Sequence, residues 1–329
     1  MLDISFIVPI YNNKPADLKK CLSSINEVKN LSYEIIVVDD GSLEKLGNCY
    51  TNICSTFAAT MYIKTKNQGV SAARNLGLTR ANGKYVSFVD ADDELKGSAI
   101  SKNDVSKNKD IIIYNYILYP SNEIISLNDF SNLDSLSKLQ RLALKNSALN
   151  VVFAKLFLRE FLVRNNIRFD INQITGEDFT FVTAVLFAHP SFLYLKRIVY
   201  KYNFDRQSYE KRMLTYPERY LINIFSIYDI RRKIIKVGKL SGSVKKKLVF
   251  NEIDEIFSYY LTIVCMNEVM TKKIHDMIVE KIPIICTTKL DIIRTLKVFL
   301  IKIQSISLLK TFYKIRNLFR NIKQIMKRG

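Results

Sequence analysis

The sequence predicts an α/β fold, a sheet covered by helices on both faces in three layers, followed by a mainly helical C-terminal extension. Short apolar runs alternate with amphipathic stretches between Ile4 and Val89, the pattern of strands and helices taking turns. Polar and acidic residues collect where the apolar runs stop, after Val8, Val38 and Val89. From about Tyr216 onward only helical periodicity and charge remain, with few turn breakers.

The elements follow in order. Ile4 to Pro9 reads as a strand, and Met1 to Pro9 lacks the basic start and long apolar stretch of a secretory leader. A helix over Leu18 to Val28, strands at Glu34 to Val38 and Ala59 to Ile63, a helix over Val70 to Leu78 and a strand at Tyr85 to Val89 come next. Runs this apolar suit strands buried on both faces. Beyond Glu94 a polar stretch reaches Lys109, followed by a β-rich run from Ile111 to Tyr119 and a helix near Leu136 to Leu144. Another helix runs from about Glu177 to near Pro190, and paired short strands follow at Phe192 to Leu195 and Ile198 to Asn203. This divides the chain into an α/β domain at 1–205 and a basic helical region at 206–329.

Composition narrows the chemistry. The chain has 329 residues, 48% apolar and 25% charged, which describes a folded protein longer than one usual domain. Its net charge of +19 points to an anionic partner: nucleic acid, a membrane surface or a phosphorylated substrate. No run of about eighteen apolar residues occurs, so no bilayer span is expected and a cytoplasmic location is. Cys21, Cys49, Cys54, Cys265 and Cys286 are scattered and form no Cys-x-x-Cys pair, as expected of reduced thiols. With His189 and His275 the only histidines, a metal would be held by carboxylates, which favours Mg²⁺ or Mn²⁺.

Sheets of this kind bind ligands at the carboxyl ends of their strands. Pro9, Tyr11 and Asn12 follow the first strand. Val37-Val38-Asp39-Asp40-Gly41-Ser42 ends a strand in two carboxylates, and Asp40 is expected there with its side chain free to accept hydrogen bonds, unless it only makes an Asp-Gly turn. In Gly69-Val70-Ser71-Ala72-Ala73-Arg74, Ser71 is expected to cap the following helix and Arg74 to grip a pyrophosphate near the helix N-terminus. Val89-Asp90-Ala91-Asp92-Asp93 runs a buried strand into three acids, whose burial would cost several kcal/mol unless a cation neutralises them. Asp178, in Thr175-Gly176-Glu177-Asp178, opens a helix whose N-terminus should keep it ionised; the same spacing also fits a capping box.

Taken in order, Ile7-Val8-Pro9-Ile10-Tyr11-Asn12, the Asp39-Asp40 strand end, Gly69 to Asn75, Asp90-Ala91-Asp92-Asp93 and Glu177-Asp178 closely resemble family 2 glycosyltransferases. The resemblance covers about residues 3 to 205 and is most specific from 3 to 95. It implies a GT-A (Rossmann-like) fold and an inverting transfer from a UDP-sugar. It further implies that Pro9, Tyr11 and Asp40 hold the uracil, that Arg74 contacts the diphosphate side, and that Asp90 with Asp92 binds ribose and a Mn²⁺ or Mg²⁺ ion. Asp178 matches the general base. Lys155 and Leu156 match an acceptor-side segment in which Trp or Asn usually precedes the Lys; Ala154 stands there in this chain, and no role is carried over.

After Asp291 no acidic residue occurs, while Lys297, Lys302, Lys310, Lys314 and Arg316 interleave with Leu296, Phe299, Ile303, Leu309 and Phe312. Such a helix suits an anionic membrane interface, or else packs its apolar side on the protein. The expected acceptor is a polyprenyl-diphosphate-linked saccharide, met at the inner face of the cell membrane during bacterial surface-polysaccharide synthesis. A polyprenyl-phosphate sugar synthase stays open as an alternative on the same fold. Nucleic acid is not expected as a partner, because acids at three strand ends would repel a phosphate backbone.

Overall fold

The computed structural model describes residues 2–127, 149–204, 213–237, 242–266, 272–305 and 307–315. It divides into two compact units, Met1–Asp205 and Arg206–Gly329.

The first unit opens with β1 (Ile4–Ile10), α1 (Pro15–Ile25), β2 (Tyr33–Asp39), α2 (Glu44–Ser55), β3 (Thr60–Lys64), α3 (Val70–Arg80) and β4 (Tyr85–Phe88). It continues with β5 (Glu94–Leu95), α4 (Lys102–Ser106), β6 (Ile111–Tyr119), β7 (Glu123–Ile125), β8 (Lys155–Leu158), α5 (Arg159–Arg164), α6 (Glu177–Phe187) and β9 (Phe192–Asn203). The strands form one nine-stranded sheet in the order β3-β2-β1-β4-β8-β6-β9-β5, with β7 paired to β6. Its β3-β2-β1-β4 half is parallel. Stepping outward from β1 to β2 to β3 puts α1 and α2 against each other, and the return to β4 carries α3 over β1 and β2. Right-handed crossovers place those two sets of helices on opposite faces, which is why every residue of β1 is buried.

The chain leaves β1 toward β2 and later returns to β4 on β1's other side. The strand order thus reverses beside β1, where doubly wound sheets form their ligand crevice. Gly77 lets α3 lie close on β1, since a Cβ there would sit 2.4 Å from Ile7 Cγ2. Below the crevice, Phe169 stacks on Phe181 at 4.1 Å, and Phe88 meets both edge-on at 5.1 and 5.7 Å. Ring pairs of this kind add about 0.5–1.5 kcal/mol each beyond burial, and this cluster fixes α6 on the sheet.

Two expectations change. Glu44–Ser55 is a helix between the second and third strands. Phe192–Asn203 is one strand along β6, interrupted by a register shift where Tyr114 faces Leu195 and Asn115 faces Ile198, so the two short strands expected here do not pair with each other. The expected helix near Leu136 to Leu144 lies outside the described residues.

In the second unit the described residues form helices α7 (Pro217–Val237), α8 (Gly242–Met266), α9 (Lys272–Ile285) and α10 (Ile292–Ile303), then α11 (307–315). No described helix is long and apolar enough to cross a membrane. Buried Glu252 of α8 pairs with Arg232 of α7 at 2.7 Å.

Candidate active site

Four loops meet at the carboxyl end of the parallel strands. Pro9 is buried in β1, whereas Tyr11 just beyond it is 52% exposed. Asn12 takes a left-handed φ of 52°; its N–H donates to Ser42 Oγ (2.8 Å) and its Oδ1 accepts from the Leu43 N–H (3.0 Å). Asp39 faces inward, accepting from the Ser42 N–H and the Tyr62 hydroxyl. Asp40, 4% exposed, accepts the N–H groups of Gln68 and Gly69, one on each oxygen, both at 2.8 Å. Gly41, at φ 79°, admits the Asn67 backbone, which a Cβ would meet at 2.6 Å.

Two expectations are corrected here. The Asp40 carboxylate is not free: both oxygens hold the loop that leads into α3. Ser71 does not cap that helix either, because Gly69 is the N-cap residue and the buried Ser71 hydroxyl has no partner among the described residues. The loop's N–H groups need acceptors, and the strand-end carboxylate supplies them.

Arg74, one turn into α3 and 3% exposed, gathers the acids. Its Nη2 donates to Asp90 Oδ1 (2.9 Å), and its Nη1 donates to Asp178 Oδ1 (2.8 Å) and Glu177 Oε1 (3.2 Å). The guanidinium lies 5.2 Å from the Phe169 ring centre. Burial alone would weaken its hold on the proton, but Asp178, Asp90 and Glu177 outweigh that and raise its pKa. Arg74 therefore sits in a carboxylate cage.

The three acids after β4 separate by environment. Asp93 turns inward, accepting from the Tyr200 hydroxyl and the Asn203 N–H, each at 2.7 Å, and burial followed by the neighbouring Asp90 charge pushes its carboxyl well above the usual range. Asp90 keeps 29% of its side chain exposed beside Arg74, and Asp92 is exposed. The cost of clustering these acids is thus met partly within the chain, by Arg74 and by hydrogen bonds to Asp93.

Asp178 stands at the second position of α6, after Gly176 at φ 74°. Gly176 is the N-cap residue and no described side chain caps that helix, so the Thr175 to Asp178 spacing is not a capping box. The Val152 N–H donates to Asp178 Oδ2 (3.2 Å). Burial pushes the carboxyl up to about 7; Arg74 pulls it down, while Glu177 and Asp90 push it further up. This corrects the expectation of a lowered pKa, because desolvation and two nearby carboxylates outweigh the helix N-terminus.

The sequence match at Lys155 carried no role. Its side chain is 1% exposed, and Nζ donates to the carbonyls of Val151 (2.5 Å) and Phe153 (3.4 Å), bracketing the Val152 N–H that reaches Asp178. Burial pushes its ammonium down to about 7, against the pull of Asp178. A lysine inside the apolar run Phe153 to Phe157 was the available signal. Tyr200 was missed: its hydroxyl bridges the Asp90 N–H and the Asp93 carboxyl, and nothing in the sequence links positions so distant.

Among the described residues no group of three His, Cys, Asp or Glu side chains could hold a metal alone. Two carboxylates on one loop, Asp90 and Asp92, both with exposed surface, fit a Mg²⁺-like ion that keeps waters and takes its remaining ligands from phosphate oxygens.

Residues 5–162 match the family model described as Glycosyl transferase family 2. This segment belongs to that family. Glycosyltransferase GlyA of Streptococcus pneumoniae is 32% identical over 223 residues, covering 62% of this chain and 31% of GlyA, so the chain spans about a third of that relative. The structure of S. aureus TarS 1-349 in complex with UDP resembles this one with a TM-score of 0.58 at 16% identity, over 95% of this chain and 91% of TarS 1-349. The mannosyltransferase PcManGT from Pyrobaculum calidifontis, solved with GDP-Man and Mn²⁺, has a TM-score of 0.51 at 14% identity, covering 95% and 90%. The family 2 segment therefore lies in a GT-A fold, as the sequence motifs imply; of the site residues, Glu177 and Asp178, which join it through Arg74, and Tyr200, which joins it through Asp90 and Asp93, lie beyond it.

Proposed function

We propose that this chain is an inverting glycosyltransferase that moves a sugar from a UDP-sugar to a hydroxyl of a polyprenyl-diphosphate-linked saccharide in bacterial surface-polysaccharide synthesis, at the inner membrane face. The observation that carries the reading is the Asp90–Arg74–Asp178 cage, which holds a metal-motif acid and an ionisable carboxylate on one guanidinium at the sheet's ligand crevice.

Each residue then has a task. The exposed Tyr11 ring and the buried Pro9 and Asp40 shape the uracil end, Asp40 through the loop it secures. UDP as the nucleotide is supported by its presence on TarS, while the GDP-Man of PcManGT makes the base a point to test. Asp90 and Asp92 would hold Mn²⁺ or Mg²⁺, which when bound neutralises charge on the departing diphosphate. Arg74 positions Asp178 relative to Asp90. Asp178 takes the proton of the acceptor hydroxyl, whose oxygen forms its bond to the anomeric carbon as the bond to the diphosphate breaks on the opposite side, and the configuration inverts. General-base assistance of this kind contributes roughly 10²–10⁴-fold.

The test is calorimetric titration with UDP, with and without Mn²⁺, beside GDP and a short single-stranded RNA, for the wild type and Asp178→Asn. Metal-dependent UDP binding by both proteins, with sugar transfer lowered by roughly 10²–10⁴-fold in the variant, is expected. RNA binding without UDP binding would overturn the reading, and wild-type turnover by the variant would remove Asp178 from the mechanism.

A further inference from the structure

The C-terminal helices carry two apolar faces, and among the described residues only one of them packs inside their unit. On α10, Leu300 and Ile301 are buried, Arg294 and Lys297 both pair with Asp254, and the Ile301 carbonyl accepts from the Tyr260 hydroxyl. On α11, Leu309 is fully buried and Phe312 meets Phe257 edge-on at 5.7 Å. These contacts mount both helices on α8. The opposite side is apolar as well: Ile292 is 88% exposed, Leu296 45%, Phe299 55% and Ile303 40%, at the 292, 296, 299, 303 spacing of a single helix face. Leu308 and Ile315 continue the exposed apolar surface on α11.

We propose that this outward stripe is a seat for an anionic lipid surface, with its apolar side chains in the interfacial layer and the helices lying in the plane of the membrane. Charge complementarity selects the occupant. Lys302 and Lys314 are exposed on the same two helices, and no acidic residue follows Asp291 to oppose them. An apolar stripe flanked by lysines, on described helices none of which is long and apolar enough to cross a membrane, is the pattern of an in-plane interfacial helix. The inward pairing of Arg294 and Lys297 adds to this, because α10 spends its inner cations on Asp254 and keeps its apolar residues outside. This inference does not depend on the transfer reaction.

The experiment uses the full chain in co-sedimentation with phosphatidylglycerol–phosphatidylcholine vesicles and with vesicles of phosphatidylcholine alone, for the wild type, Leu296→Gln with Phe299→Gln, and Lys302→Gln with Lys314→Gln. Because all four positions are exposed, neither pair disturbs the core, and UDP titration of the same samples reports the first unit separately. The wild type is expected to bind the anionic vesicles, the apolar pair to bind at least about tenfold more weakly, and the lysine pair to weaken binding while flattening its salt dependence. Vesicle binding unchanged in the apolar pair overturns the proposal. So does light scattering that shows the wild type as a dimer and the apolar pair as a monomer, which would give the stripe to a second copy of the chain.

Discussion

Three carboxylates converge on one guanidinium, and the consequence for Asp178 can be measured. A carboxyl pushed up to about 7 by burial is protonated in part of the population at neutral pH, and a base works only in its deprotonated form. kcat/KM for transfer should therefore rise about tenfold per pH unit below about 7 and level off above it; a flat profile between about pH 5 and pH 8 would contradict the assignment. The residue types at this site were legible, since acids and an arginine at strand and helix ends stand out against apolar neighbours. Their partners were not. Arg74 and Asp178 lie far apart in the chain, and no local pattern says that the guanidinium will gather three carboxylates. Nor does a pair such as Asp39-Asp40 say which member turns inward.

At the scale of elements, long periodic segments were readable and weakly marked ones were not. The helix Glu44–Ser55 buries Gly47, Tyr50 and Cys54, a stripe too poor in large apolar side chains to declare itself. The strand Phe192–Asn203 looked like two because Lys196 and Arg197 interrupt its apolar pattern at the register shift. The pairing of α7 with α8 has its own pH signature. Burial pushes Glu252 up to about 7, with Arg232 and then Arg231 pulling it down. A carboxyl raised in the folded state contributes most below its unfolded value; stability is lost as pH rises from about 4.5 toward about 7 and changes little beyond. Glu252→Gln should remove that part of the dependence, so its denaturation midpoint relative to wild type should improve steadily between about pH 4.5 and pH 7. A difference independent of pH would show that the carboxyl keeps an ordinary pKa.

For the whole molecule, net charge announced an anionic partner without naming it, and the tail's periodicity could not say which side of the helix faces the protein. Within the second unit, the cations on one side of that helix pair with Asp254, and an apolar stripe lies on the other side. The other long-range lesson lies in the first unit. Asp40 grips the N–H groups that open α3, and one turn later Arg74 grips Asp90 and Asp178. The two ends of the crevice are thus linked through one short helix, so damage at the proposed nucleotide end should travel to the proposed reacting end. Asp40→Asn would then lower kcat as well as UDP affinity, and a double-mutant cycle with Arg74→Lys should give a coupling of about 0.5–3 kcal/mol, where independent sites would simply add. An affinity screen alone would therefore misread variants on the second strand as binding defects.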